Sequence, residues 1–227
     1  MTLRHRSRFN NTRKVRMTPK LFQAVTVPSS RFSNKKFHRE PGWRSYRRTP
    51  ACAAPPALRN WLLDTGSLTQ RLIQASSHQF RVEVLNQRVE RPFLSELRAL
   101  NMPLGAKALV RETLLYGKNV PWVYARSILP LSTLTGRLRR LRKLDNSPLG
   151  ALLFKDPSMV RSPIEVACVT ALNSHLPEAV QHFSEPLWGR RSVFYLSAKP
   201  LLVSEIFLPG FKPYDSKPYN HPLKTIY

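Results

Sequence analysis

Two pairs of apolar runs, each joined by a short polar break, most constrain how this 227-residue chain can fold. In Lys107–Pro130 the break is Gly-Lys-Asn at 117–119, and in Trp188–Pro209 it is Ser-Ala-Lys-Pro at 197–200. Apolar, β-branched and aromatic runs on both sides of so short a break are typical of β-hairpins. We therefore expect two antiparallel hairpins.

The other periodic segments fall in blocks between these hairpins. Alternation with a period of two predicts a further strand, and helical spacing predicts the helices. The first helical block has a break at Gly66, after which Ser67 is a suitable cap for a second helix. The sequence thus predicts an α+β fold: a single antiparallel β-sheet with helices packed on one side of it. The segments are Leu58–Gln74 (two helices), Gln79–Glu90 (strand), Ser132–Leu144 (a basic helix) and Ser147–Phe154 (a short helix).

Positive charge is concentrated at the N-terminus. The net charge is +24, and residues 1–50 contain fourteen Lys or Arg but a single acid, Glu40. Low apolar periodicity predicts a disordered basic extension over residues 1–56, ending in a Pro- and Ala-rich linker. Three interpretations remain open: binding to nucleic acid or another anionic surface through charge, an organellar transit peptide, or extra length before a true start at Met17.

The remaining signals argue against several classes of protein. Cys52 and Cys168 form no metal or disulfide motif, and no apolar run reaches the roughly 18 residues of a membrane span. His175 and His182 are spaced too loosely for a zinc site. Nucleotide-binding and metalloprotease motifs are missing from the sequence. We expect a cytoplasmic monomer that needs no cofactor, metal or nucleic acid.

Two charged residues stand where apolar ones are expected. Glu205 shares a strand face with Val203 and Phe207, and Arg111 shares one with Leu109. Burial of an unpaired charge costs several kcal/mol. Glu205 could lie on a solvated edge, or the two could form a structural ion pair. Alternatively, both could face a cavity in which a ligand lies between them, since a planar arginine suits a carboxylate.

Three further arginines are weaker candidates. Arg126 lies in the partner strand of the first hairpin and could be a second contact for an anion. Arg190 and Arg191 lie at the predicted start of a strand, where an exposed or structural role is at least as plausible as ligand binding.

Four segments together resemble the chorismate pyruvate-lyase family. They occur in the family's order and cover about residues 57–214, leaving 215–227 as a C-terminal tail. The specific parts are R-E-x-x-L and P-W-x-x-A-R-S-x-x-P in the first hairpin, P-L-G, W-G-R-R-S and the E-x-F-L-P ending. The segments read WLLDTGSLTQRL, LVRETLLYGKNVPWVYARSILPLSTLTG, SPLGALLF and LWGRRSVFYLSAKPLLVSEIFLP.

The resemblance implies a fold, an activity and a site. The fold would be a single antiparallel sheet with an internal ligand cavity under helical flaps. The activity would be cofactor-independent cleavage of chorismate to 4-hydroxybenzoate and pyruvate, the first step toward the ubiquinone ring in many bacteria. Arg111 and Glu205 would be the catalytic and substrate-binding side chains. Leu68 and Leu149 would bind substrate through their backbone groups, and Leu68 stands where the family often has Met.

Two features depart from the family pattern, and two rival functions remain. The basic extension lies outside the pattern, and the segment 167–186 is longer than usual. The same fold also occurs as non-catalytic effector-binding modules of transcription regulators, which are fused to a winged helix; residues 1–56 are too short and Pro-rich for that domain. A nucleic-acid-binding protein that uses its extension is the second rival, and it predicts steeply salt-dependent binding.

Overall fold

The chain divides into two units, Met1–Lys36 and Phe37–Tyr227. A computed structural model describes residues 40–46, 54–170, 176–177 and 183–212, all of them in the second unit. Most of the expected extension, the whole tail 215–227, and both His175 and His182 lie outside the described residues.

In the described part of the chain, eight strands form one antiparallel sheet, which confirms the predicted α+β class. The strand order is β1-β6-β7-β8-β4-β3-β2, and β5 pairs with β7 beside this path. The strands are β1 Arg44–Ser45, β2 Phe80–Glu90, β3 Ala108–Gly117, β4 Val120–Pro130, β5 Met159–Arg161, β6 Glu165–Val169, β7 Leu187–Leu196 and β8 Lys199–Phe207. The helices are α1 Pro56–Leu62, α2 Leu68–Ala75, α3 Leu94–Ala99, the 3₁₀ helix Gly136–Arg142 and α4 Leu149–Leu153.

Both predicted hairpins are confirmed. Lys118 and Asn119 join β3 to β4, and Ser197 and Ala198 join β7 to β8. All four residues have positive φ values, between 48° and 63°. Two-residue turns of this kind match the right-handed twist of the flanking strands. The two hairpins lie side by side in the sheet because β4 pairs with β8.

One face of the sheet is covered by α1, α2, α4 and the 3₁₀ helix. Their apolar side chains pack against strand residues in two clusters, and the predicted cap of α2 is present, because Ser67 Oγ accepts from the backbone N–H of Gln70 at 3.4 Å. This layer encloses the space in which the functional site lies. The buried helix residues include Leu58, Trp61, Leu62, Leu72, Leu138, Leu141, Leu149 and Leu153.

The segment predicted as a basic helix, Ser132–Leu144, contains the 3₁₀ helix Gly136–Arg142. Leu138, Leu141 and Leu144 are buried, whereas Arg139 and Arg140 are exposed. In a 3₁₀ helix residues three apart lie in line, so this leucine spacing points a single row of side chains into the core. An α-helix would spread the same residues over a wider stripe.

Helix α3 lies on the other face of the sheet, so the expectation that all helices pack on one side is wrong. Its Glu96 hydrogen-bonds Arg126 of β4 at 2.8 Å. Two carboxylates satisfy its first N–H groups: Glu96 accepts from Phe93 N, and Glu40 accepts from Leu94 N. These contacts hold a helix of only six residues against the sheet.

Residues 40–46 fall in the segment that was expected to be a disordered extension. Arg44 and Ser45 instead form β1 and pair with Val166 and Glu165 of β6. The described fold therefore includes residues that precede the expected domain start at 57.

Gly117 closes the hairpin that carries Arg111, and it has no room for a side chain. A Cβ atom there would overlap the buried ring of Trp122, which packs edge-on against Phe211 with centroids 5.8 Å apart. We expect Gly117→Ala to lower the free energy of unfolding by about 1–3 kcal/mol, measured by urea denaturation. At Gly42 the nearest atoms would be 3.9 Å away, so Gly42→Ala is the matched control, with an effect below about 0.5 kcal/mol. Equal stabilities would contradict the prediction.

Candidate active site

A cavity that opens to solvent lies between the sheet and the helices described above. Its floor is formed by alternate residues of β3, β4 and β8, because successive side chains of a strand point to opposite faces. Its roof is formed by the start of α2 and by α4. The lining includes Leu68, Arg111, Thr113, Ala125, Ser127, Leu149, Arg161, Arg190, Phe194, Val203 and Glu205.

Arg111 is held at this cavity with 2% of its surface exposed. Its Nε donates to Gln87 Oε1 at 3.0 Å, and its Nη2 donates to the carbonyl oxygens of Asp145 and Ser147 at 2.6 and 3.1 Å. Among the described residues, no group hydrogen-bonds its Nη1. Burial lowers the pKa of Arg111, opposed by the charge of Asp145, but an arginine stays charged at neutral pH. The side chain is thus a fixed cation with a free donor.

Glu205 also faces the cavity, where it forms an ion pair with Arg190. The two residues are directly opposite in the pairing of β7 with β8, and Arg190 Nε donates to Glu205 Oε2 at 2.7 Å. This ion pair with Arg190 was not among the arrangements expected for Glu205 from the sequence. No described residue hydrogen-bonds its Oε1, which is available to a ligand. The alternative Arg111–Glu205 ion pair is not formed among the described residues.

Leu68 and Leu149 are the first residues of α2 and α4, and both line the roof of the cavity. The two helix starts approach closely, since a Cβ on Gly150 would lie 2.9 Å from Thr69 Oγ1. Backbone N–H groups in the first turn of a helix have no partner within the helix. The structure thus brings all four residues expected at the site to one cavity.

Arg126 lies outside this cavity, so the expectation of a second anion contact there is wrong. Its side chain points to the opposite face of the sheet and pairs with Glu96 and Glu112 at 2.8 and 2.9 Å. The cause is a register shift between Leu115 and Tyr116, which sets Arg111 opposite Ser127. A one-residue shift moves a side chain to the other face of a sheet. Burial and the attraction of Glu96 act in opposite directions on the pKa of Arg126, and the attraction prevails and raises it.

Sequence reasoning gave too little weight to one arginine of the cavity, Arg190, and missed another, Arg161. Arg190, expected to be exposed or structural, is 1% exposed and faces the cavity. Counting back from the Ser197–Ala198 turn would have placed it opposite Glu205. Arg161 lines the same cavity from the three-residue strand β5, which carries no clear periodic signal. Arg191, the residue after Arg190, lies on the other face of the sheet and pairs with Glu165.

The charges of the lining define the class of ligand. Three arginines and one glutamate face the cavity, an excess of two positive charges within a lining that is about half polar and half apolar. Such a site favours a small organic anion, since the charges are fixed and partly desolvated. The described residues contain no group of three or more His, Cys, Asp or Glu side chains that could hold a metal ion.

The family model for chorismate lyase matches residues 45–217. The chain belongs to the chorismate lyase family. A protein of Psychromonas ingrahamii named probable chorismate pyruvate-lyase is 44% identical over 156 residues, 67% of this chain and 83% of its own. One of the same name from Methylococcus capsulatus is 41% identical over 156 residues, 67% of this chain and 95% of its own.

Solved structures include a more distant likeness. The effector domain of PhnF from Mycobacterium smegmatis has 17% sequence identity and a TM-score of 0.45, and the match covers 65% of this chain and 91% of that one. In the part of this chain that the structure describes, no helix is long and apolar enough to cross a bilayer.

Proposed function

We propose that this protein cleaves chorismate to 4-hydroxybenzoate and pyruvate. The chain belongs to the chorismate lyase family. The observation that carries the proposal is its cavity, in which Arg111 and Glu205 each have one atom that is free to hydrogen-bond a ligand. Chorismate carries two carboxylates, and the cavity has two positive charges in excess. The product would supply the ring of ubiquinone.

The reaction draws most of its driving force from the substrate. The bond between ring carbon and ether oxygen breaks, the hydrogen on the neighbouring hydroxyl-bearing carbon is lost, and the ring becomes aromatic. The departing enolpyruvate gains a proton at its methylene carbon and becomes pyruvate. Atoms balance without an oxidant or a cofactor. The protein therefore needs to orient the substrate and to stabilise the charge that develops on the leaving oxygen.

Each expected site residue has a role in this proposal. Arg111 binds the ring carboxylate through Nη1, and the backbone groups of Leu68 and Leu149 lie near the same end. Glu205 meets the ring hydroxyl with its free Oε1, while Arg190 fixes the other oxygen at 2.7 Å. The proton passes either through Glu205 or directly to the enolpyruvyl methylene.

We propose that the protein acts as a monomer and requires no nucleic acid. We place the protein in the cytoplasm, where chorismate is made. The catalytic domain would span the expected residues 57–214 together with residues 40–46, which pair with β6 and cap α3, and the rest of the basic extension and the tail would lie outside it.

Product analysis tests the function directly. Purified protein is incubated with chorismate, 4-hydroxybenzoate is followed by chromatography, and pyruvate is followed by a coupled assay, with chorismate alone as the control. We expect equal amounts of the two products. Tight binding of an aromatic acid without any product would overturn the proposal and indicate a ligand-binding module instead.

A further inference from the structure

Two guanidinium groups lie side by side at one end of the cavity. Nη1 of Arg190 donates to the carbonyl oxygen of Asp64 at 2.7 Å, and Nη1 of Arg161 approaches the same oxygen at 3.4 Å. Arg161 also donates to Thr65 O at 2.9 Å, and Arg190 to Trp61 O at 2.8 Å. The two cations are therefore fixed next to each other by the loop that joins α1 to α2.

The positive charge of this pair is only partly neutralised. Glu205 pairs with Arg190, but no carboxylate of the described residues forms a salt bridge with Arg161. Within the same residues, Nη2 of each arginine makes no hydrogen bond. Burial, and next the charge of Arg190, lower the pKa of Arg161 to about 10, so it stays protonated at neutral pH. Partly buried donors of this kind favour an anionic partner.

This pair is well separated from Arg111. Arg190 lies on β7 and Arg111 on β3, with β8 and β4 between them. Neighbouring strands are about 4.8 Å apart, so the two backbones are roughly 14 Å apart. Glu205, on β8, lies between the two positive ends. The cavity thus has two anion sites with one carboxylate between them.

The chemistry of chorismate matches this order of charges. Its ring carboxylate lies across the ring from the hydroxyl, whereas the enolpyruvyl ether is attached to the carbon next to the hydroxyl. With the ring carboxylate at Arg111 and the hydroxyl at Glu205, the second carboxylate falls at the Arg190 end.

We propose that Arg161, together with Arg190, binds the enolpyruvyl carboxylate of chorismate, an assignment that rests on the proposed function. Arg161 is then a substrate-binding residue that distinguishes the dianionic substrate from the monoanionic product. 4-Hydroxybenzoate has no group for this site, so its affinity does not depend on Arg161.

Paired measurements on Arg161→Met test the assignment. We expect KM for chorismate to rise roughly 10- to 100-fold, the range of a lost charge-assisted hydrogen bond. The Kd for 4-hydroxybenzoate, measured by calorimetry, should change less than about threefold. Arg161→Lys keeps a charge without the planar fork, and it should give an intermediate KM. It also serves if the Met variant does not fold.

Arg71→Met is the matched control, because Arg71 anchors the same loop from outside the cavity. Its Nη1 donates to Asn60 O at 2.6 Å and to Asp64 Oδ2 at 2.7 Å. We expect its KM to stay within about threefold of the wild type. An unchanged KM in Arg161→Met and Arg161→Lys, or an equal loss of affinity for substrate and product, would overturn the inference.

Failure of the proposed function gives a different result. In that case the wild type forms no product from chorismate, and the assignment is tested with the Kd of intact chorismate. A selective loss of chorismate binding in Arg161→Met would still support the second anion site, and unchanged binding would overturn it.

Discussion

Protein carrying Arg111→Met is expected to retain less than about 1% of the wild-type kcat/KM for chorismate. Each hydrogen bond from a charged group contributes about 1.5–3 kcal/mol, or roughly 10- to 150-fold, and Arg111 supplies the positive charge for the ring carboxylate. Affinity for 4-hydroxybenzoate should fall as well, since the product keeps that carboxylate. Steady-state kinetics and calorimetry on the same preparation measure both effects.

A pair of lysine variants separates this role from a loss of stability. Arg111→Lys and Arg126→Lys change the same residue type on adjacent strands, at 2% and 6% exposure, but the side chains point to opposite faces of the sheet. We expect Arg111→Lys to lose at least about tenfold in kcat/KM and Arg126→Lys to remain near the wild type, even where its melting temperature falls. Equal activity losses would contradict the assignment of Arg111.

Glu205→Gln is expected to lower kcat about 100-fold. The glutamine keeps the shape and an acceptor oxygen but removes the charge that faces the substrate hydroxyl and balances Arg190. Loss of a charge-assisted hydrogen bond accounts for roughly 10- to 150-fold, and loss of a proton-transfer group for roughly 10²- to 10⁴-fold. With saturating chorismate, a fall in kcat clearly above about 150-fold would indicate the proton-transfer role, and a fall below about 100-fold the hydrogen-bonding role.

Glu165→Gln is the matched control for this variant. Glu165 pairs with Arg191 at 2.7 Å, the same distance as the Glu205–Arg190 pair, but on the other face of the sheet. The Glu165→Gln variant should keep kcat within about threefold of the wild type. Near wild-type kcat in Glu205→Gln would rule out a direct role for the carboxylate.

Local patterns predicted the hairpins and the paired helices well because short turns and caps are specified by neighbouring residues. The turn at Lys118–Asn119 and the cap at Ser67 are of this kind. Helix α3 was missed because Glu96 supplies only part of its N-terminal cap, and the rest comes from Glu40, which lies more than 50 residues earlier. No pattern within a window of the sequence reveals such a contact.

Site residues could be predicted where a charged residue stands in an otherwise apolar strand and where a motif of the family includes it. Arg111 and Glu205 stand out in this way. Arg126 was misplaced because one bulged residue in β4 reverses the side-chain alternation, and bulges have little sequence signal. Arg161 was missed because β5 has three residues and is positioned by its pairing with β7.

The short strand β1 has a consequence for shortened versions of this protein. Arg44 and Ser45 cover part of the outer edge of β6, and Glu40 completes the start of α3. Removal of residues 1–46 would leave that edge open to pairing with other molecules, which is a common route to aggregation. A truncation that begins at residue 37 keeps both contacts while removing much of the basic extension, and it is the better starting point for crystallisation.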